Sequence, residues 1–66
     1  MKPYNPYYRA QKWRMKRNGV TERDLAAVLH YSYGYTRKLL SHPGKPERVQ
    51  QIEQAIEEAI RRRRGG

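Results

Sequence analysis

Tyr33, Arg37 and Ser41 recur at i, i+4 and i+8, with Lys38 beside them and Ser32 leading the segment. On a helix that spacing gathers them on one face. Their chemistry is hydrogen bonding to an edge rather than bond breaking. Arg can donate two parallel bonds to guanine, Ser serves several bases, and Tyr meets a thymine methyl or a phosphate, so such a helix fits the major groove of a duplex. A solvated helix surface would carry the same residue types, and Tyr33 and Tyr35 can also pack across a turn.

Other chemistries find little support. A hydrolytic site needs a nucleophile, a base and an orienting group in a cleft, and no such set assembles, so a non-enzyme is expected. His30 and His42 are too far apart for a pattern such as H-x-x-x-H, and there is no Cys, so neither a metal nor another cofactor is expected. The lack of Cys also excludes a disulfide scaffold and suits a reducing compartment.

These side chains need elements to hold them. Asn5-Pro6 reads as an N-cap followed by Pro at the first helical position, opening a basic helix to about Arg17 that ends at Asn18-Gly19. Ala10 and Trp13 share one face and Tyr8 and Met15 another; of these, Trp13 is the expected core residue. Thr21 with Asp24 makes a capping-box-like pair for a second helix, and Val20 can staple onto Leu25. After His30-Tyr31 a tight turn leads into a third helix, from Ser32 or Tyr33 to Ser41, with Ser32 as cap. The alternation of Tyr31, Tyr33 and Tyr35 is not read as a strand, because one strand finds no partner in so small a chain. His42-Pro43-Gly44-Lys45-Pro46 is a loop, and Pro46 begins a last helix to about Ile60. There Val49, Ile52, Ile56 and Ile60 keep helical spacing.

The expected fold is therefore all-α: a compact domain of four helices, five at most, over residues 1–60, with residues 61–66 as a basic, flexible tail. Its expected core is Trp13, Val20, Leu25, Ala26, Leu29, Leu39, Val49, Ile52 and Ile56. The far end of the last stripe, Ile56 and Ile60, exceeds what so small a core can cover, and it offers a homodimer contact.

Sixty-six residues carry a formal charge of +9, which points to a polyanion, nucleic acid before membrane. The charge is partitioned: +6 over residues 1–20, +2 over 21–46, −3 over 47–60 and +4 over Arg61–Arg64. The acidic segment is expected to face away from the polyanion. Arg14, Lys16 and Arg17, clustered without acids, are expected to meet phosphates, and Arg61, Arg62, Arg63 and Arg64 to act as an electrostatic arm. No apolar run is long enough for a membrane span, and Met1–Pro6 is unlike a signal peptide, so a cytoplasmic, nucleoid-associated protein is expected.

Leu25-Ala26, Leu29, a turn at His30, then Tyr31, Thr36 and Leu39 inward make a helix-turn-helix, with small Ala26 where the two helices cross. The segments Thr21–Leu29 and Tyr31–Leu40, followed by Gly44-Lys45-Pro46 with Ile52 and Ile56, resemble the Cro/C1-type (Xre-like) helix-turn-helix family of phage and bacterial repressors. The resemblance covers about residues 9–60. It implies a DNA-binding domain in which Ser32, Tyr33, Arg37, Lys38 and Ser41 contact bases or groove, while Thr21, Lys45 and the backbone near Gly44 touch phosphates. Glu22 stands where the family often has a phosphate-reaching Gln, so that contact is not carried over. His30 occupies the turn position where the family usually has Gly.

The expected function is that of a sequence-specific regulator of transcription, a repressor, binding an inverted repeat in double-stranded DNA as a dimer. The alternatives are an excisionase-like or architectural DNA-binding protein, and an antitoxin whose helix-turn-helix is secondary.

Overall fold

The computed structural model describes residues 5–65; Met1–Tyr4, with Lys2 of the basic N-terminal stretch, and Gly66 lie outside them. Four helices follow in chain order, α1 (Tyr8–Arg17), α2 (Glu22–Leu29), α3 (Tyr33–Ser41) and α4 (Pro46–Gly65), and no strand occurs among the described residues.

Local hydrogen bonding sets most of the boundaries. At the end of α1, Gly19 N–H bonds Lys16 O at 3.1 Å and Val20 N–H bonds Met15 O at 2.8 Å, the paired bonds of a Schellman stop. Gly19 takes φ +71°, a conformation that calls for glycine, and a Cβ there would lie 2.7 Å from Nε of Arg63, whose flexible side chain would have to move. Thr21 and Asp24 form a reciprocal capping box at the start of α2. His30 closes α2 in the left-handed conformation at φ 60°. Ser32 caps α3 by accepting from Tyr35 N–H at 3.2 Å.

α1 departs from expectation at its start and in its phase. Asn5 is no N-cap, for the helix begins at Tyr8 and its cap residue, Tyr7, gives no side-chain bond. Instead Asn5 is fully buried: Nδ2 donates to Gln11 Oε1 at 2.7 Å and to Leu40 O at 2.9 Å, and Oδ1 accepts from Tyr7 N–H at 2.9 Å. Its own N–H donates to Ser41 O at 3.1 Å, so one residue ties the start of α1 to the last carbonyls of α3. Trp13, the expected core ring, is 59% exposed. The inward residues of α1 are Gln11 and Met15. Met15 is fixed by the Schellman stop beside buried Val20, and Trp13 then lies about 200° around the helix from it. Gln11 enters because Asn5 meets its Oε1, while its Nε2 is buried without a partner among the described residues.

The core joins all four helices: Met15, Val20, Leu25, Ala26, Leu39, Leu40, Ile52, Ala55, Ile56, Ala59 and Ile60. Leu29 and Val49 are only partly buried, and Leu40 takes a place not assigned to it from the sequence. Ile56 is fully buried and Ile60 nearly so, which removes the exposed apolar end expected to serve as a dimer contact. α1, α2 and α3 all pack against α4, and small Ala55 and Ala59 are buried along it with the two isoleucines. Arg61–Arg64 are helical as well, not a flexible tail, since α4 runs on to Gly65.

Candidate nucleic-acid interface

α3 presents Tyr33, Arg37 and Lys38 outward, with Thr36, Leu39 and Leu40 buried behind them. Thr36 Oγ1 donates to Ser32 O at 2.8 Å, which fastens the buried side to the cap residue. Ser32 is exposed; its oxygen is used by the cap, and its hydroxyl hydrogen remains for a ligand. Ser41 is turned back. Its Oγ lies 3.3 Å from both Arg37 O and Lys38 O and 3.0 Å from His42 Nδ1, so its hydroxyl already serves the helix end.

Arg37 is held by the first turn of α2. Its Nε lies 3.7 Å from Glu22 Oε1, and the Tyr33 hydroxyl reaches the same oxygen at 3.5 Å. The guanidiniums of Arg23 and Arg37 stand 4.9 and 5.8 Å from the Tyr33 ring centroid. A carboxylate engaging Nε leaves the terminal nitrogens of Arg37 available for a paired contact with an acceptor edge. Glu22 also places one negative charge beside a face otherwise rich in cations, which lowers the pull of that face on phosphate while orienting one arginine.

Two cationic regions flank this face. On one side, Lys38 and Lys45 line a cleft of about 250 Å³ with Tyr35, His42 and Arg48. Lys45 O accepts from Arg48 N–H at 3.0 Å and Gly44 takes φ +84°, which sets the loop where it meets α4. Arg48, assigned from the sequence to the acidic segment, donates to the Tyr35 hydroxyl at 3.5 Å; its position three residues into a helix that starts at Pro46 was the available signal. Tyr35 in turn packs edge-on against Tyr31, with ring centroids 5.0 Å apart. On the other side, Lys16 shares a groove with Thr21 and Glu22.

The remaining expected phosphate contacts do not form one group. Arg14 lies by Glu57, Ile60, Arg61 and Arg64, on a different side of α1 from Lys16, and Arg17 is exposed. The arginines of α4 have partners within the fold. Arg61 and Arg62 both pair with Glu58, at 2.7 and 3.1 Å. Arg64 Nη2 donates to Asn18 Oδ1 at 3.2 Å, and Arg63 lies against Gly19. Among the described residues, no group of three or more potential ligand side chains could hold a metal, and no helix is long and apolar enough to cross a membrane. Compared with known protein families, curated proteins and solved structures, the chain matches none.

Proposed function

We propose that the protein is a small sequence-specific regulator of transcription, a repressor, that lays α3 in the major groove of double-stranded DNA. The observation that carries this reading is the left-handed turn at His30, which joins α2 to α3 and leaves Tyr33, Arg37 and Lys38 exposed on the outer side of α3. Cations lie to both sides of that face, Lys16 beside Glu22 and Lys45 with Arg48 beside Lys38. Arg37 is the base-reading residue, Tyr33 and Ser32 its neighbours in the groove, and Thr21, Lys16 and Lys45 the phosphate contacts. Two copies reading an inverted repeat belong to the same proposal, through a contact other than buried Ile56 and Ile60.

Selection of bound duplexes from random DNA tests it, followed by Arg37→Ala on the recovered sequence. Loss of about 1–3 kcal/mol on that sequence, with one base position relaxed, is expected. Equal loss on random DNA would refute base reading. Phased protection over many sites would favour an architectural role instead, and a stable co-purifying protein would favour an antitoxin.

A further inference from the structure

Trp13 is the most exposed large apolar side chain among the described residues, at 59%. It stands on a face of α1 with Arg9 four residues before it and Lys16 three after, so an aromatic plane is set among cations. Between this face and the start of α2 runs a groove of about 650 Å³, lined by Tyr8, Lys12, Trp13, Lys16, Thr21 and Glu22. The Lys12 ammonium lies 5.4 Å from the Tyr8 ring centroid and that of Lys16 lies 5.8 Å from the Trp13 ring. The ion pairs among the described residues use Arg37, Arg61 and Arg62 as their cations, so Arg9, Lys12 and Lys16 take part in none of them. Glu22 is the one carboxylate on the groove, and Arg37 already engages it at 3.7 Å.

The groove is continuous with the α3 face. Glu22 lines the first and touches Arg37 and Tyr33 of the second. A helix lying in a major groove about 12 Å wide is bordered by phosphodiester backbone on both sides. Uncompensated positive charge selects an anionic occupant, and continuity with α3 selects the one that α3 brings with it.

We propose that this groove is a second DNA contact, which takes the phosphodiester backbone flanking the bases read by α3. Lys12 and Lys16 meet successive phosphates there, and the Trp13 ring lies against a deoxyribose. The inference rests on the proposed function of α3, and its test separates the two.

Trp13 is the sole tryptophan, so its emission reports on the groove directly. Two duplexes are compared by titration: the selected sequence cut at the edges of its read bases, and the same sequence extended on each side by half a helical turn, about five base pairs. The extended duplex is expected to bind several-fold more tightly and to shift or quench Trp13 emission. Its log–log salt slope should be steeper by about 2, for two added phosphate contacts. Lys12→Gln, which leaves Lys16 in place, should remove most of the advantage of the extended duplex and leave the short one unaffected, with helical circular dichroism confirming the fold. Equal binding of both duplexes with unchanged emission, while Arg37→Ala still weakens them, overturns the groove and spares the reading of α3. A Trp13 response that needs the flanks but ignores Arg37→Ala upholds the groove and overturns that reading. A response to a Glu-rich peptide and not to DNA overturns the groove, because the occupant is then an acidic protein segment. No binding of either duplex overturns both.

Discussion

Replacing Asn5 by Ala should be among the costliest single changes in this domain, although the residue is a small polar one near the N-terminus. Asn5 is fully buried, and its amide makes three hydrogen bonds of 2.7, 2.9 and 2.9 Å, to Gln11 Oε1, Leu40 O and Tyr7 N–H. At about 1 kcal/mol net for each bond, the loss is about 3 kcal/mol; partners left dry raise it, and water entering the vacated space lowers it, giving about 2–4 kcal/mol. A domain of this size has a total stability of only about 3–10 kcal/mol, so the variant would lose about a fifth of it or more. The corresponding fall in Tm is about 8–32 °C. Thermal and urea unfolding should be followed by far-ultraviolet circular dichroism, because exposed Trp13 is a poor reporter of the core. Gln11→Met provides the second arm. It removes the buried Nε2 that lacks a partner together with the Oε1 that Asn5 meets, at similar volume. The double-mutant cycle should show coupling of about 1 kcal/mol, the value of the shared bond. A cost below about 1 kcal/mol for Asn5→Ala, or strict additivity with Gln11→Met, would refute the assignment of Asn5 as a structural anchor.

His30→Gly should stabilise the protein by about 0.5 kcal/mol and His30→Val should destabilise it by at least about 1 kcal/mol in the same unfolding assay, since φ is 60° there. Gly19→Ala should cost about 1–2 kcal/mol, mostly from φ +71°, with the Arg63 side chain displaced from its place 2.7 Å from the new Cβ. Glu22→Gln should raise affinity for random duplex a few-fold and reduce the preference for the selected sequence, as it removes both a repulsive charge and the partner of Arg37; unchanged preference in competition titrations would show that Glu22 does not orient that arginine.

The features legible in the sequence are those made by neighbours along the chain. Thr21 with Asp24, Ser32, Asn18-Gly19 and the loop at Pro43–Pro46 each declare a boundary through bonds or dihedral limits within a few residues, and the helices follow accordingly. The inner side of α4 was legible in part for the same reason: Ile52 and Ile56 recur with the helical period and are buried, whereas Val49, expected inside, is only partly buried and Ile60, offered with Ile56 as a dimer contact, lies inside. Features decided by distant partners were not. Trp13 and Met15 compete for the inside of a mostly charged helix, and the Schellman stop beside Val20, not ring size, decides the phase. The place of Asn5 depends on Leu40, thirty-five residues away, and that of Arg64 on Asn18, forty-six residues away. Within the candidate interface, the outward set on α3 was legible from spacing. The pairing of Arg37 with Glu22, the turned-back Ser41 hydroxyl and the separation of Arg14 from Lys16 were not, because each depends on how helices cross rather than on their composition.

α3 is secured at both of its ends, by the Ser32 cap and Tyr31 N–H on Ala26 O at one, and by Asn5 on Leu40 O and Ser41 O at the other. A rod pinned twice cannot swivel about either pin. In the proposed role, the reading face would then be pre-organised: little backbone entropy is left to lose on binding, and the free-energy cost falls mainly on the Arg37 and Lys38 side chains. Loosening one pin without touching the face, as Asn5→Ala does at its C-terminal end, should then weaken specific binding through entropy alone. The faithful reading of a sequence by so small a domain would thus depend in part on an amide that never meets it.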